Sequence, residues 1–196
     1  MARLAFWSTA VILLALATHL ASVLFSPAVS MASTLERIFS IAPVNRMTVL
    51  DQEVMGNVVR ELNPDLVYAI CPYDIGSHPL AIEAHIPDFY WSISVYSAKG
   101  DNVYTLNDQQ AGVSILRFRL ALDQAGFSLE EMVADSEAEE EAAEAEAAKG
   151  DDTVVINTPT AQGVILLRAF MPDPAYRGRL TDALAASSCR PAQATS

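Results

Sequence analysis

Residues 80–97 read LAIEAHIPDFYWSISVYS. Leu80, Ile82, Ala84 and Ile86 alternate with Glu83 and His85, and Trp91, Ile93 and Val95 alternate with Tyr90, Ser92, Ser94 and Tyr96. Successive side chains on a strand point to opposite sides, so a period of two marks two strands with one face turned to a core. Between them stands Pro87-Asp88, which carries turn chemistry: proline pre-sets φ and aspartate accepts from the amides that follow it.

The same reading extends outward in both directions. Leu66–Cys71 is a short apolar run. Lys99-Gly100-Asp101-Asn102 is a turn leading into a short strand at Val103–Leu106, and in Val113–Leu120 the residues Leu116, Phe118 and Leu120 alternate with Ile115, Arg117 and Arg119. Thr153–Asn157 and Gly163–Phe170 complete the set. The last is apolar on both faces except for Arg168, the pattern of a strand covered on both sides. Asp173-Pro174 supplies an N-cap and first helical residue, after which Tyr176, Leu180 and Leu184 line one side of a helix. No βαβ rhythm is present. The expected fold is mainly β, an antiparallel sandwich or barrel-like sheet, with one N-terminal transmembrane helix and a C-terminal surface helix.

The N-terminal helix follows from Leu4–Phe25, which carries no formal charge. At ~1.5 Å per residue this run is roughly 33 Å long, enough to cross the hydrocarbon of a bilayer. Arg3 precedes it, which predicts the N-terminus inside a bacterial cytoplasmic membrane and the rest of the chain in the periplasm. A cleaved signal peptide ending near Ala28-Val29-Ser30 is the competing reading. Ala15, Thr18, His19 and Ser22 share one face at i, i+3, i+4, i+7, a surface on which a second membrane protein would pack closely. His19 is the one ionisable side chain there, either a proton-relay group or a neutral histidine bonded to its own helix or to interfacial water. The chain therefore divides into an anchor or signal (1–30), a helical and then irregular connector (31–64) that Pro43 interrupts, and a β-rich extracytoplasmic domain (65–196).

The formal net charge is −12. Glu130–Asp152 holds 11 acidic residues and one lysine, or −10, leaving 13 acids and 11 bases, or −2, elsewhere. The charge is thus concentrated around an acidic, alanine-rich insert, 134–152, preceded by a capping-box pattern at Ser128 and Glu131. That composition reads as solvated helix or disorder, with cation sequestration as a possible use. No basic cluster offers a surface for phosphates, so nucleic acid is not an expected partner.

Cys71 and Cys189 are the two cysteines. In an oxidising compartment they are a disulfide candidate, closing a loop of roughly 118 residues worth ~5 kcal/mol in the chain-entropy model; two buried thiols are the alternative. His78, Glu83 and His85 are the candidate metal set, since Glu83 and His85 share a strand face, but their spacing matches no strong metal motif and a solvated face explains them equally. No nucleophile elbow, HExxH helix, CxxC or phosphate loop occurs, so no catalytic residue and no cofactor are assigned. Asp74, Asp88, Asp101 and Asp108 fall at turns. Tyr68, Tyr73, Tyr90, Trp91, Tyr96 and Tyr104 either line a groove or fill the core.

Several punctuated runs together resemble a known family: Pro72-Tyr73-Asp74-Ile75, Tyr90-Trp91-Ser92-Ile93-Ser94, Asn107-Asp108-Gln109-Gln110, Ile156-Asn157-Thr158-Pro159-Thr160 with Gly163, and Leu167-Arg168-Ala169-Phe170 with Pro172-Asp173. This order is similar to the bacterial domain-of-unknown-function family 1254, in particular its short membrane-anchored members, and the resemblance takes in His19 and Cys189. It implies a β-sandwich-like fold and brings no reaction with it. The functional expectation is a tethered envelope module that binds a partner protein or small ligand. The alternative is a hydrolase or metal-dependent enzyme using carboxylates and histidines in a cleft of the sheet.

Overall fold

The computed structural model describes residues 2–50, 62–123 and 154–192. The helix α1 spans Ala2–Ile41 without interruption. Its alanine- and leucine-rich sequence favours helix, and Thr18 donates to the Leu14 carbonyl at 2.9 Å, so its hydroxyl is satisfied inside its own helix. Pro27 lies within the helix and, lacking an N–H, removes one ladder bond. The helix ends just ahead of Pro43, where the sequence places a stop. Asn45 then adopts a left-handed φ of 57°, which asparagine tolerates better than most residues.

Among the described residues nine strands follow: β1 (Thr48–Leu50), β2 (Leu66–Asp74), β3 (Leu80–His85), β4 (Trp91–Ser97), β5 (Asn102–Asn107), β6 (Ile115–Leu122), β7 (Val154–Thr158), β8 (Gln162–Phe170) and β9 (Ser188–Pro191). They form two sheets, ordered β1-β2-β8-β4-β5 and β7-β6-β3-β9. Among the described residues the two sheets make no closed barrel, so of the two expected architectures the open, two-sheet one is found. Among the described residues pairing is antiparallel except between β6 and β7, which run parallel. Period-two patterning reports which side of a strand is buried and carries no information on the direction of its neighbour.

The inner faces meet in one core. Val67, Ala69, Cys71 and Tyr73 of β2, with Ile165, Leu167 and Ala169 of β8 and Ile93 and Val95 of β4, face Leu80 and Ile82 of β3 and Phe118 and Leu120 of β6. Strand β2 runs past Cys71 through Pro72, further than its apolar run suggested. Proline is tolerated there because β1 has already ended; the Pro72 carbonyl, on that open side, accepts instead from the Asn45 amide at 2.8 Å. A single 3₁₀ turn, Pro174–Tyr176, is capped by Asp173, whose Oδ1 accepts from the Ala175 amide at 2.8 Å. It leads into α2 (Arg177–Ala185), which buries Leu180 and Leu184 against the core.

A second apolar cluster lies on the outer face of the five-stranded sheet. There Leu35, Ile38 and Ala42 from the end of α1 cover Ile70 of β2 and Val164 of β8. This explains why β8 is apolar on both faces. Its exception, Arg168, bonds through Nε to the Ser92 hydroxyl on the adjacent strand at 3.1 Å. The acidic insert, the capping-box pattern at Ser128 and Glu131, and part of the 31–64 connector lie outside the described residues.

Candidate functional site

The expected disulfide is present. Cys71 on β2 and Cys189 on β9 are bonded, with Cα atoms 6.5 Å apart. Because the two strands belong to different sheets, the bond ties sheet to sheet. It also fixes β9, a strand that the polar tail sequence did not announce.

Glu83 and His85 share the outer face of the four-stranded sheet, as their spacing implies. His85 Nε2 lies 3.3 Å from Glu83 Oε1, and Arg117 Nε lies 2.9 Å from Glu83 Oε2. The Arg117 guanidinium, first by its hydrogen bond and then by its charge, holds the Glu83 carboxyl below its ordinary range. Glu83 is thus an ion-pair partner in a cross-strand pair set by register, since Glu83 lies opposite Arg117. Among the described residues no three histidine, cysteine, aspartate or glutamate side chains gather as metal ligands, so His78 does not complete a set with Glu83 and His85.

The aspartates keep to turns. Asp74 Oδ2 accepts from Gln162 Nε2 at 2.9 Å and its Oδ1 from the Gly76 amide at 3.1 Å, and these bonds lower its pKa. Asn45 clamps the backbone of the same residue, donating to the Asp74 carbonyl and accepting from its amide, each at 2.8 Å. The Ser97 hydroxyl donates to Asp101 Oδ2 at 3.1 Å. Asp108 Oδ1 is buried without a hydrogen-bond partner. These carboxylates serve separate turns.

Most of the aromatic residues are core. Tyr73 is fully buried, and its hydroxyl donates to the Tyr96 carbonyl at 3.2 Å and lies 3.1 Å from the Thr158 hydroxyl; burial raises its pKa. Tyr104 packs on Phe118 with ring centroids 5.9 Å apart. Tyr90 is exposed, and Tyr68 and Tyr96 lie outside the main core. With Ile70, Val164 and Leu166 they wall an apolar cavity of about 220 Å³, closed on its other side by Met31, Thr34 and Ile38 of α1. Such a lining suits a hydrocarbon group and offers an ion nothing. No local pattern announces this cavity, because its walls come from segments more than a hundred residues apart.

On α1, the residues Ala15, Thr18, His19 and Ser22 are all exposed, and no residue of the most apolar window of the helix is buried. By length and composition α1 is fit to be a membrane anchor or a signal sequence. The disulfide agrees with an oxidising compartment.

The family described as "Protein of unknown function (DUF1254)" matches residues 44–188, and the chain belongs to it. No curated protein matches. Among solved structures, the VPA0106 protein of Vibrio parahaemolyticus is similar over 87% of this chain and 40% of its own, with 10% identity and a TM-score of 0.56, a likeness of fold. An uncharacterised protein from Burkholderia cenocepacia is similar over 76% of this chain and 34% of its own, with 12% identity and a TM-score of 0.44. The chain thus spans about two fifths, or less, of the length of either structure.

Proposed function

We propose that this chain is a single-pass envelope protein of the bacterial inner membrane, anchored through residues 4–25 with its N-terminus inside. Its β domain stands in the periplasm as a tethered binding module, and its ligand is an apolar group received at the cavity beneath α1. The observation that supports this reading is the continuity of α1. One helix supplies the span, Leu4–Phe25, and also the packed segment Leu35, Ile38 and Ala42 that rests on the sheet. Between Phe25 and Met31, the first cavity residue, a helix rises only about 9 Å. The cavity mouth therefore lies at the level of lipid headgroups, where a hydrocarbon chain has a short path to it. The exposed face of Ala15, Thr18, His19 and Ser22 suits a second membrane helix in the same assembly.

Native mass spectrometry of the protein released gently from membranes tests the reading. Retention of an apolar adduct of lipid mass, lost when Thr34→Trp fills the cavity, is the expected result. A chain that carries no adduct, or one whose adduct survives Thr34→Trp, would overturn the cavity's role. Recovery of only the species lacking residues 1–30 would overturn the anchor.

A further inference from the structure

One row of the five-stranded sheet runs beneath the end of α1. Register sets Pro72 of β2 opposite Val164 of β8, Val164 opposite Tyr96 of β4, and Tyr96 opposite Asn102 of β5. At the β2 end of this row Asn45, just past the helix, donates its amide to the Pro72 carbonyl. In the middle Leu35, Ile38 and Ala42 pack with Ile70 and Val164. At the β5 end Gly100, in the turn between β4 and β5, lies against α1. A Cβ there would stand 3.5 Å from the Met31 Cβ and 3.8 Å from the Pro27 carbonyl oxygen. The lengths agree: three strand spacings make about 14 Å, and the helix rises about 16 Å from Met31 to Ala42. The helix therefore crosses the strands, and it leaves the domain over the β4–β5 edge on its way to the apolar segment 4–25.

That edge is the part of the sheet nearest the end of the span. Pro27 and Met31 lie only about 3 Å and 9 Å beyond Phe25 along the helix axis. Headgroups occupy roughly 5–8 Å on each side of the hydrocarbon, so the turn packed on Pro27 and Met31 falls in or beside that layer. The turn is also firmly built. The Ser97 amide donates to the Asp101 carbonyl at 2.9 Å and the Gly100 amide to the Ser97 carbonyl at 3.0 Å. The Ser97 hydroxyl oxygen accepts from the amides of Lys99 and Asp101, each at 3.2 Å. Gly100 has a φ of 92°, which favours glycine, and Lys99 beside it is exposed. The lysine ammonium is a compact charge suited to phosphate oxygens. We propose that the β4–β5 hairpin is a lipid-headgroup contact. The sandwich stands on the membrane on its β5 edge, its strands close to parallel with the bilayer surface, and Lys99 bonds a phospholipid phosphate. This rests on the reading of α1 as an anchor, and it puts the Met31 and Tyr96 end of the apolar cavity nearest the acyl chains.

The test uses the full chain in vesicles of phosphatidylethanolamine and phosphatidylglycerol. The chain's two cysteines are bonded to each other, so one introduced cysteine takes a fluorescent label alone. Three positions are compared: Leu20→Cys within the span, Asn102→Cys at the foot of the row, and Ser40→Cys, about 22 Å beyond Phe25 on the helix. Lipid spin-labelled on its headgroup should quench the Asn102→Cys label at least threefold more than the Ser40→Cys label. Adding Lys99→Glu should at least halve the quenching at Asn102→Cys and leave that of Leu20→Cys by chain-labelled lipid unchanged. Quenching at Leu20→Cys with equal quenching at Asn102→Cys and Ser40→Cys would overturn the headgroup contact while the anchor stands. Quenching at Asn102→Cys that is indifferent to Lys99→Glu would overturn the phosphate bond. No quenching at Leu20→Cys would overturn the anchor, and the contact with it.

Discussion

Cys71 lies in one sheet and Cys189 in the other, 6.5 Å apart between Cα atoms and joined by a disulfide across the core. The bond spans a sequence separation of 118 residues, which takes in almost the whole β domain. Both cysteines are buried, Cys71 completely.

Reduction, or the pair Cys71→Ser and Cys189→Ser, should therefore destabilise the domain by about 2–5 kcal/mol, mostly by releasing the unfolded chain. Urea denaturation of the oxidised and reduced protein measures the difference. Hydrogen exchange should show the largest loss of protection at β9, the short edge strand that the bond holds against β3.

Gly163 should tolerate no side chain. A methyl group added there would overlap the Tyr73 hydroxyl and the Tyr96 carbonyl, in the interior where these two already meet in a hydrogen bond. Gly163→Ala should cost about 1–3 kcal/mol through overpacking. Tyr73→Phe should cost about 1–2 kcal/mol by leaving the Thr158 hydroxyl short of a partner in a buried site. Thermal melts of the two variants give both values.

Acid should weaken the fold through Glu83 and Asp74. Arg117 lowers the pKa of Glu83, and the bonds from Gln162 and Gly76 lower that of Asp74. A carboxyl with a folded-state pKa below its unfolded value adds stability that is present above the unfolded pKa and lost as pH falls through the folded one. Asp74 is exposed and Glu83 partly so, which makes the effect small and screened by salt. In melts between pH 7 and pH 3, Glu83→Gln and Asp74→Asn should lie below the parent at neutral pH and converge with it in acid. A gap that stayed constant with pH would contradict this origin.

The small-residue face of α1 predicts a specific loss. Ala15→Leu and Ser22→Leu add bulk where a second helix would approach, without changing the apolar length of the span. Cross-linking in membranes should show at least one associated protein diminished severalfold, with the amount of membrane-bound chain unchanged. Associations identical to those of the parent would remove the docking role from this face.

Much of the fold was legible in the residues. The alternation in Leu80–Ile86 and Tyr90–Ser97 located β3 and β4, the Asp173-Pro174 pair located the start of the C-terminal helical segment, and two cysteines left a single intramolecular pairing to consider. These are local signals: a period of two, a cap, a charge-free run. The short strands β1 and β9 escaped because three or four residues hold too little periodicity to register.

The amino-acid sequence by itself determined which residues face a core, where the chain turns and that its first helix is apolar enough for a bilayer. Such features depend on neighbours a few positions away. Only the tertiary structure decided that β6 and β7 run parallel and that the end of α1 shields Ile70 and Val164. It alone decided that Glu83 pairs with Arg117 and that Arg119 and Arg190 flank Ala81. Each of these joins segments far apart in the chain, and strand order and register are settled by burying all the apolar faces at once, a condition no single stretch of sequence contains.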